Sequence, residues 1–182
     1  MTRPPLPRTV IHVLLALAMV GCRSAPTPTT APKPVSFPAE NDVAFDALDG
    51  GTARLSDYAG KVIVLNFWAI WCAPCRMEMP ELEAIYQQYR DQGVVVLAVN
   101  VSEGASDIAA YIRSNGLTFP IVRDSKLTAA RSFRVSSLPT TLFFDRQGQL
   151  YRWSEGDGRV LDRAVGARDG DFFAKHITAL LD

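Results

Sequence analysis

The chain has 182 residues, which fits one ordinary domain and leaves little for a second. Hydrophobic residues make up 48% and charged residues 21%, with nineteen basic against nineteen acidic side chains. That balance excludes a disordered or collagen-like chain and, with no long run of one sign, an extended nucleic-acid-binding stripe.

The first segment reads as an address. Arg3 and Arg8 precede an apolar run from Val10 to Val20, broken only by His12 and ending at Gly21-Cys22. A membrane-spanning helix needs about 20 apolar residues, roughly twice this run, so residues 1–21 are expected to be a signal peptide. From Arg23 to Pro38 five prolines stand among Ser, Thr and Ala. Such a segment builds no packed core and extends at about 3.1 Å per residue, to roughly 50 Å in all. Residues 22–38 are therefore expected to be a tether and 39–182 the folded domain. Without residues 1–21 the chain keeps 17 basic and 19 acidic side chains, a formal charge near −2.

Within the domain, Val43 to Leu48 reads as a strand, Asp49-Gly50-Gly51-Thr52 as a turn and Ser56 to Gly60 as an irregular connection. Val62-Ile63-Val64-Leu65-Asn66-Phe67 is a β-branched run of the kind covered on both faces. Ala73 to Arg90 places Leu82, Ile85, Tyr86 and Tyr89 at helical spacing, with Pro80 as a kink and Gly93 as the stop. Val94 to Val101 is a second buried strand, and Ser106 is expected to cap a helix running to about Asn115, closed by Gly116. Phe119 to Val122 gives a short strand, Leu127 to Phe133 a short helix, and Thr140 to Phe144 a strand after Pro139. Gln147-Gly148 and Gly156-Asp157-Gly158 are turn signals bracketing Leu150 to Trp153, with Arg159 to Val165 able to pair back. The last helix carries Phe173, Ile177, Leu180 and Leu181 on one face, with His176 expected at the surface. There is no internal repeat.

Trp71-Cys72-Ala73-Pro74-Cys75 falls where a buried strand meets a long helix. A cysteine at a helix N-terminus faces unpaired backbone N–H groups and the positive end of the macrodipole, which lower its pKa below the free value of about 8.5. Cys72 is then the attacking sulfur, and Cys75, on the first turn, can resolve a mixed disulfide by attacking it. A static disulfide and half of a zinc site are the alternatives. A bridge closing so short a loop adds little stability, and with Cys22 outside the domain only His176 remains as a further zinc ligand. A redox pair working without metal or organic cofactor is the stronger reading.

The stretch from Asn66 to Pro80, Asn-Phe-Trp-Ala-Ile-Trp-Cys-Ala-Pro-Cys-Arg-Met-Glu-Met-Pro, resembles the active-site segment of TlpA/ResA-type bacterial thiol-disulfide oxidoreductases in the thioredoxin superfamily. The resemblance runs from about Phe45 to the C-terminus, taking in Ser56 to Lys61 and Leu138-Pro139-Thr140-Thr141, which matches the family's cis-proline loop. It implies an α/β thioredoxin-like fold, a central mixed sheet flanked by helices. The segment 148–159 departs from the family and reads as an extra edge hairpin. The resemblance also implies that Pro139 lies against the cysteines, that the backbone of Leu138 pairs with an extended substrate, and that Glu78 handles a proton. Asn66 stands where thioredoxins carry a buried Asp. A carboxyl in an apolar pocket beside a thiolate is raised in pKa, which suits Glu78 to accept the proton of Cys75. An exposed helix glutamate and an ordinary trans proline are the competing readings. Of Trp68 and Trp71, one is expected in the core and one, Trp71, at the surface touching substrate.

Gly21-Cys22 resembles a bacterial lipobox, with Met19 in place of the usual Leu, and implies lipid on Cys22; plain secretion is the alternative. Arg23, rather than Asp, leans towards an outer membrane. The expected protein is exported, lipid-anchored and facing the periplasm or extracytoplasmic space. It reduces disulfides of exported proteins, in cytochrome c maturation or metal-site assembly, and is recharged by a membrane electron-donor protein. A redoxin-type thiol peroxidase competes, although those enzymes place Thr or Ser where Ala69 stands, before a lone cysteine. A non-enzymatic copper- or partner-binding module is the third possibility.

Overall fold

The computed structural model describes residues 37–182. The expected signal peptide, Cys22 and the tether up to residue 36 lie outside the described residues. In chain order the domain begins with β1 (Ala44–Ala47) and β2 (Thr52–Arg54), followed by β3 (Val62–Trp68), α1 (Ala73–Tyr89) and β4 (Val94–Asn100). It continues with α2 (Ala105–Asn115), β5 (Ile121–Arg123), α3 (Thr128–Ser132) and β6 (Thr140–Phe144). The last part holds β7 (Trp153–Ser154), β8 (Val160–Leu161), β9 (Ala164–Val165) and α4 (Gly170–Leu181).

Seven strands form one sheet in the order β2-β1-β5-β4-β3-β6-β9. β3, β4 and β5 run parallel, as helical crossovers require, while β6 lies antiparallel on the other side of β3. This is the mixed sheet flanked by helices that the resemblance implies.

Strand alternation decides what β3 shows to each side. Val62, Val64 and Trp68 enter one core with Met79, Leu82 and Ile85 of α1 and Phe173 and Ile177 of α4. Ile63, Leu65 and Phe67 enter the other, with Ala129 and Ala130 of α3 and Phe133. Asn66 shares the parity of Val64 and Trp68, so its polar side chain is sent towards α1. Trp68 is fully buried and Trp71 is 66% exposed, so they are the core and surface rings respectively. Helix α1 runs to Tyr89 with Pro80 inside it, and Gly93 takes the left-handed conformation (φ 84°) after a short 3-10 turn.

Four expectations are corrected. Gly104, not Ser106, occupies the cap of α2; Ser106 lies in its first turn. The turn after Asp49 leads into β2, a strand of three residues too short to show any periodicity. The stretch 159–165 divides, and β8 pairs only with β7 in a separate two-stranded sheet. The edge of the main sheet is instead β9, paired with β6.

The fourth is His176, which is 3% exposed rather than superficial. The segment leading into β7 folds back across α4, so the imidazole packs 4.6 Å from Trp153 and 4.5 Å from Phe172, centroid to centroid, with Tyr151 at 5.9 Å. Burial, helped by Lys175, pushes its pKa down to about 4.

Candidate active site

The end of β3 and the start of α1 fix the two cysteines. Cys72 is the N-cap of α1, with extended backbone, and its Sγ accepts a hydrogen bond from the Cys75 N–H at 3.2 Å. One of the helix's unpaired amide donors is thus aimed at the sulfur, which is the interaction that stabilises a thiolate there. Pro74, within the first turn, sits where no intrahelical N–H bond is needed. The two sulfurs form a disulfide, with the Cα atoms 5.2 Å apart. Cys72 retains 4% exposure and Cys75 none, so an incoming sulfur can approach only Cys72.

The loop before the pair is braced from β4 and the residues after it. Asn100 Oδ1 accepts from the N–H groups of Ser102 and Glu103, and Asn100 Nδ2 donates to Glu103 Oε2 at 2.7 Å. Glu103 Oε1 in turn accepts from the Ile70 N–H, and Ser102 Oγ accepts from the Trp71 indole N–H at 3.0 Å. The exposed Trp71 ring is therefore held in place rather than free. None of Asn100, Ser102 and Glu103 was expected at the site. An Asn followed by Val-Ser-Glu after a strand does signal a side-chain-stabilised turn, but nothing in the spacing says which loop the turn supports.

The Leu138–Pro139 peptide bond is cis. Its loop is tied down on both sides: Thr140 Oγ1 donates to the Ser137 carbonyl at 2.7 Å, and the Gly166 N–H donates to the Pro139 carbonyl at 2.9 Å. Trp71 and Leu138 line one groove of about 310 Å³, whose other walls are apolar at Val101, Leu127 and Val135 and polar at Arg131, Ser136 and Ser137. A larger cleft of about 470 Å³ lies at β1 and β2, away from the cysteines, where Asp42 and Arg54 are paired with each other.

Glu78 is 1% exposed, on the stripe of α1 that also buries Cys75, Met79, Leu82 and Ile85. Cys75 and Glu78 are three residues apart on that stripe, hence neighbours on one helix face. Glu78 Oε2 accepts from Asn66 Nδ2 at 2.8 Å and Oε1 from the Arg168 N–H at 2.9 Å. Burial raises the carboxyl to about 7, outweighing those two donors and the Arg168 charge, which pull it down. Arg168 lies outside the sequence expectations, since its hydrogen bond to Glu78 comes from the backbone, which side-chain chemistry does not announce. Among the described residues no three or more His, Cys, Asp or Glu side chains are placed to share a metal ion, and no helix is long and apolar enough to cross a membrane.

Residues 36–152 match the family model described as the AhpC/TSA family. The thiol-disulfide oxidoreductase ResA of Geobacillus kaustophilus is 43% identical over 109 residues, which is 60% of this chain and 63% of that protein. The match thus spans a little under two thirds of that relative's length. ResA of Bacillus thuringiensis subsp. konkukian is 32% identical over 119 residues, 65% of this chain and 68% of that one. A crystal structure from Chlorobium tepidum, assigned as a thiol:disulfide interchange protein DsbE, superposes with a TM-score of 0.65 at 31% identity, covering 78% of this chain and 94% of the other. The fold is thioredoxin-like.

Proposed function

Since this chain belongs to the AhpC/TSA family, we propose that it is a thiol-disulfide oxidoreductase that reduces disulfides of exported proteins through Cys72 and Cys75. The observation that carries this reading is a cysteine pair at disulfide distance in which only Cys72 can be reached, beside a groove that Trp71 and Leu138 share.

In the reduced protein the Cys72 thiolate attacks one sulfur of a substrate disulfide, forming a mixed disulfide and expelling the other substrate sulfur as a thiolate. The Cys75 thiol gives its proton to Glu78, and the resulting thiolate attacks Cys72 Sγ. The second substrate sulfur leaves, and the two substrate thiolates take up protons, one of them the proton held on Glu78 and the other from solvent. Substrate disulfide and protein dithiol have become substrate dithiol and protein disulfide, with two electrons passed on. Trp71, Leu138 and Pro139 hold the substrate segment across Cys72. A membrane electron-donor protein returns the pair to the dithiol.

The test is a comparison of oxidants. The fully reduced chain is expected to oxidise far faster with a protein disulfide such as insulin than with hydrogen peroxide at equal concentration. Faster reaction with peroxide would favour a peroxidase and overturn the proposal.

The proposal extends to place. An apolar run ending in Gly21-Cys22, followed by a proline-rich tether, supports lipid attachment at Cys22 and a membrane-bound position facing the periplasm or extracytoplasmic space, from which the protein serves cytochrome c maturation or metal-site assembly. One acyl chain binds a membrane only marginally, so stable anchoring requires several. Cys22→Ser is expected to release the protein from membranes. The native N-terminus should have the mass of a chain starting at Cys22 plus glycerol and acyl groups; an unmodified N-terminus beyond Cys22 would contradict the anchor alone.

A further inference from the structure

Asn66 is completely buried in the middle of the central sheet. It faces Ala98 of β4 and Thr141 of β6 across the strands. Its Nδ2 group donates twice, to Glu78 Oε2 at 2.8 Å and to Thr141 Oγ1 at 2.9 Å. Its Oδ1 is buried with no partner among the described residues. Native structures seldom leave a buried carbonyl in that position.

The arrangement suits Glu78 in only one of its two protonation states. Oε1 is met by the backbone N–H of Arg168, a group that can donate but never accept. A proton on the carboxyl is therefore directed to Oε2, where it would confront the Asn66 NH2, donor against donor. Turning the Asn66 amide by 180° replaces that NH2 with a carbonyl. Its two lone pairs then accept from the Glu78 O–H and from the Thr141 hydroxyl, which donates as readily as it accepts. The carboxyl and the Thr141 hydroxyl are then paired in either state, while the end of the amide that faces away from them has no partner among the described residues in either. The other surroundings of the carboxyl do not change sign: α1 presents Cys75, and the approach to α4 presents Arg168 as the charged side chain, while Glu81, farther along α1, accepts from the Gly170 N–H.

We infer that Asn66 is a positioning residue whose amide turns with the protonation of Glu78, donating to the carboxylate and accepting from the carboxylic acid, with Thr141 reversing its hydroxyl in step. The inference rests on Glu78 taking up a proton in the cycle proposed above. Its consequence is that Glu78 changes charge without rearrangement of α1 or of the sheet.

The full chain contains four asparagines, few enough for their side-chain amides to be followed individually by NMR after selective labelling. In the oxidised protein between pH 5 and 9, the contact between the Asn66 NH2 protons and the Thr141 methyl is expected above the midpoint of the Glu78 carboxyl carbon and lost below it. In Glu78→Gln that contact should become independent of pH. Asn66→Leu should raise the Glu78 midpoint by about one pH unit, because the charge-assisted bond it removes is roughly twice as strong as the neutral one. Should that variant not fold, the unaltered chain still decides the matter. A Glu78 that titrates while the Asn66–Thr141 contact persists throughout overturns the turning amide and leaves the proton role standing. A Glu78 that does not titrate in this range overturns both.

Discussion

Cys75→Ser will accumulate substrates covalently bound through Cys72, while Cys72→Ser will accumulate none. Both variants are expected to lose turnover of protein disulfides by about 1000-fold or more, since each removes one of two sulfurs that act in sequence. The accumulated species tells them apart. Cys75→Ser keeps the sulfur at the helix N-terminus and loses only the resolving step, so the mixed disulfide persists. In Cys72→Ser the surviving sulfur is the fully buried one, behind its neighbour on the first turn of α1, and a substrate disulfide cannot reach it. Acid quenching, alkylation and non-reducing electrophoresis read the adducts directly. Equal adducts from both variants would contradict the order of attack.

Glu78→Gln is expected to remove the pH dependence that Glu78 imposes on disulfide exchange near pH 7, where burial places its carboxyl. The amide keeps the shape but takes no proton, so the limb of the rate profile near pH 7 should vanish and the rate above it should fall by about 100-fold, a usual contribution of a positioned base. Stability gives a second, independent reading. The folded pKa of Glu78 is raised, so between about 4.5 and 7 the folded protein holds a proton that the unfolded chain has released. Its contribution is complete below the unfolded value and lost as pH rises through 7. Relative to the variant, the oxidised wild-type protein should therefore lose about 3 kcal/mol across that window. His176 works in the opposite direction. Its folded pKa is lowered to about 4, so its contribution is complete above about 6.5 and lost as pH falls towards 4. The two windows overlap, and only the difference between wild type and Glu78→Gln isolates the carboxyl. Chemical denaturation at several pH values measures it; a flat difference would mean that Glu78 titrates alike in both states.

The parts of this site that a sequence displays are those that local pattern controls. β6 spans Thr140–Phe144 as expected, and β3 and α1 differ from expectation by a residue or so, because a β-branched run and a helical stripe each specify one buried arrangement. The inward direction of Glu78 was also legible: it lies four residues before Leu82 and seven before Ile85, on the face that must meet the sheet. Its partners were less so. That Asn66 faces α1 follows from strand parity, but its pairing with Thr141 depends on the register of β3 against β6, which two separated strands do not declare. The Arg168 amide reaches Glu78 from 90 residues away through its backbone, and side-chain chemistry leaves no trace of that. His176 was misplaced for a related reason. Its own helix gives it a flank position, and the packing of Phe143 of β6 beneath it and of Trp153 and Tyr151 over it makes it part of the core.

The central claim is that Cys72 and Cys75 form a working reductant, and equilibrium titration of the pair in thiol-disulfide buffers tests it most directly. One reversible two-electron transition is predicted, with a midpoint nearer the value of about −270 mV found for thioredoxin than the value of about −120 mV found for a strong oxidant such as DsbA. A pair that shows no reversible transition, or one whose midpoint lies near −120 mV, would contradict the claim.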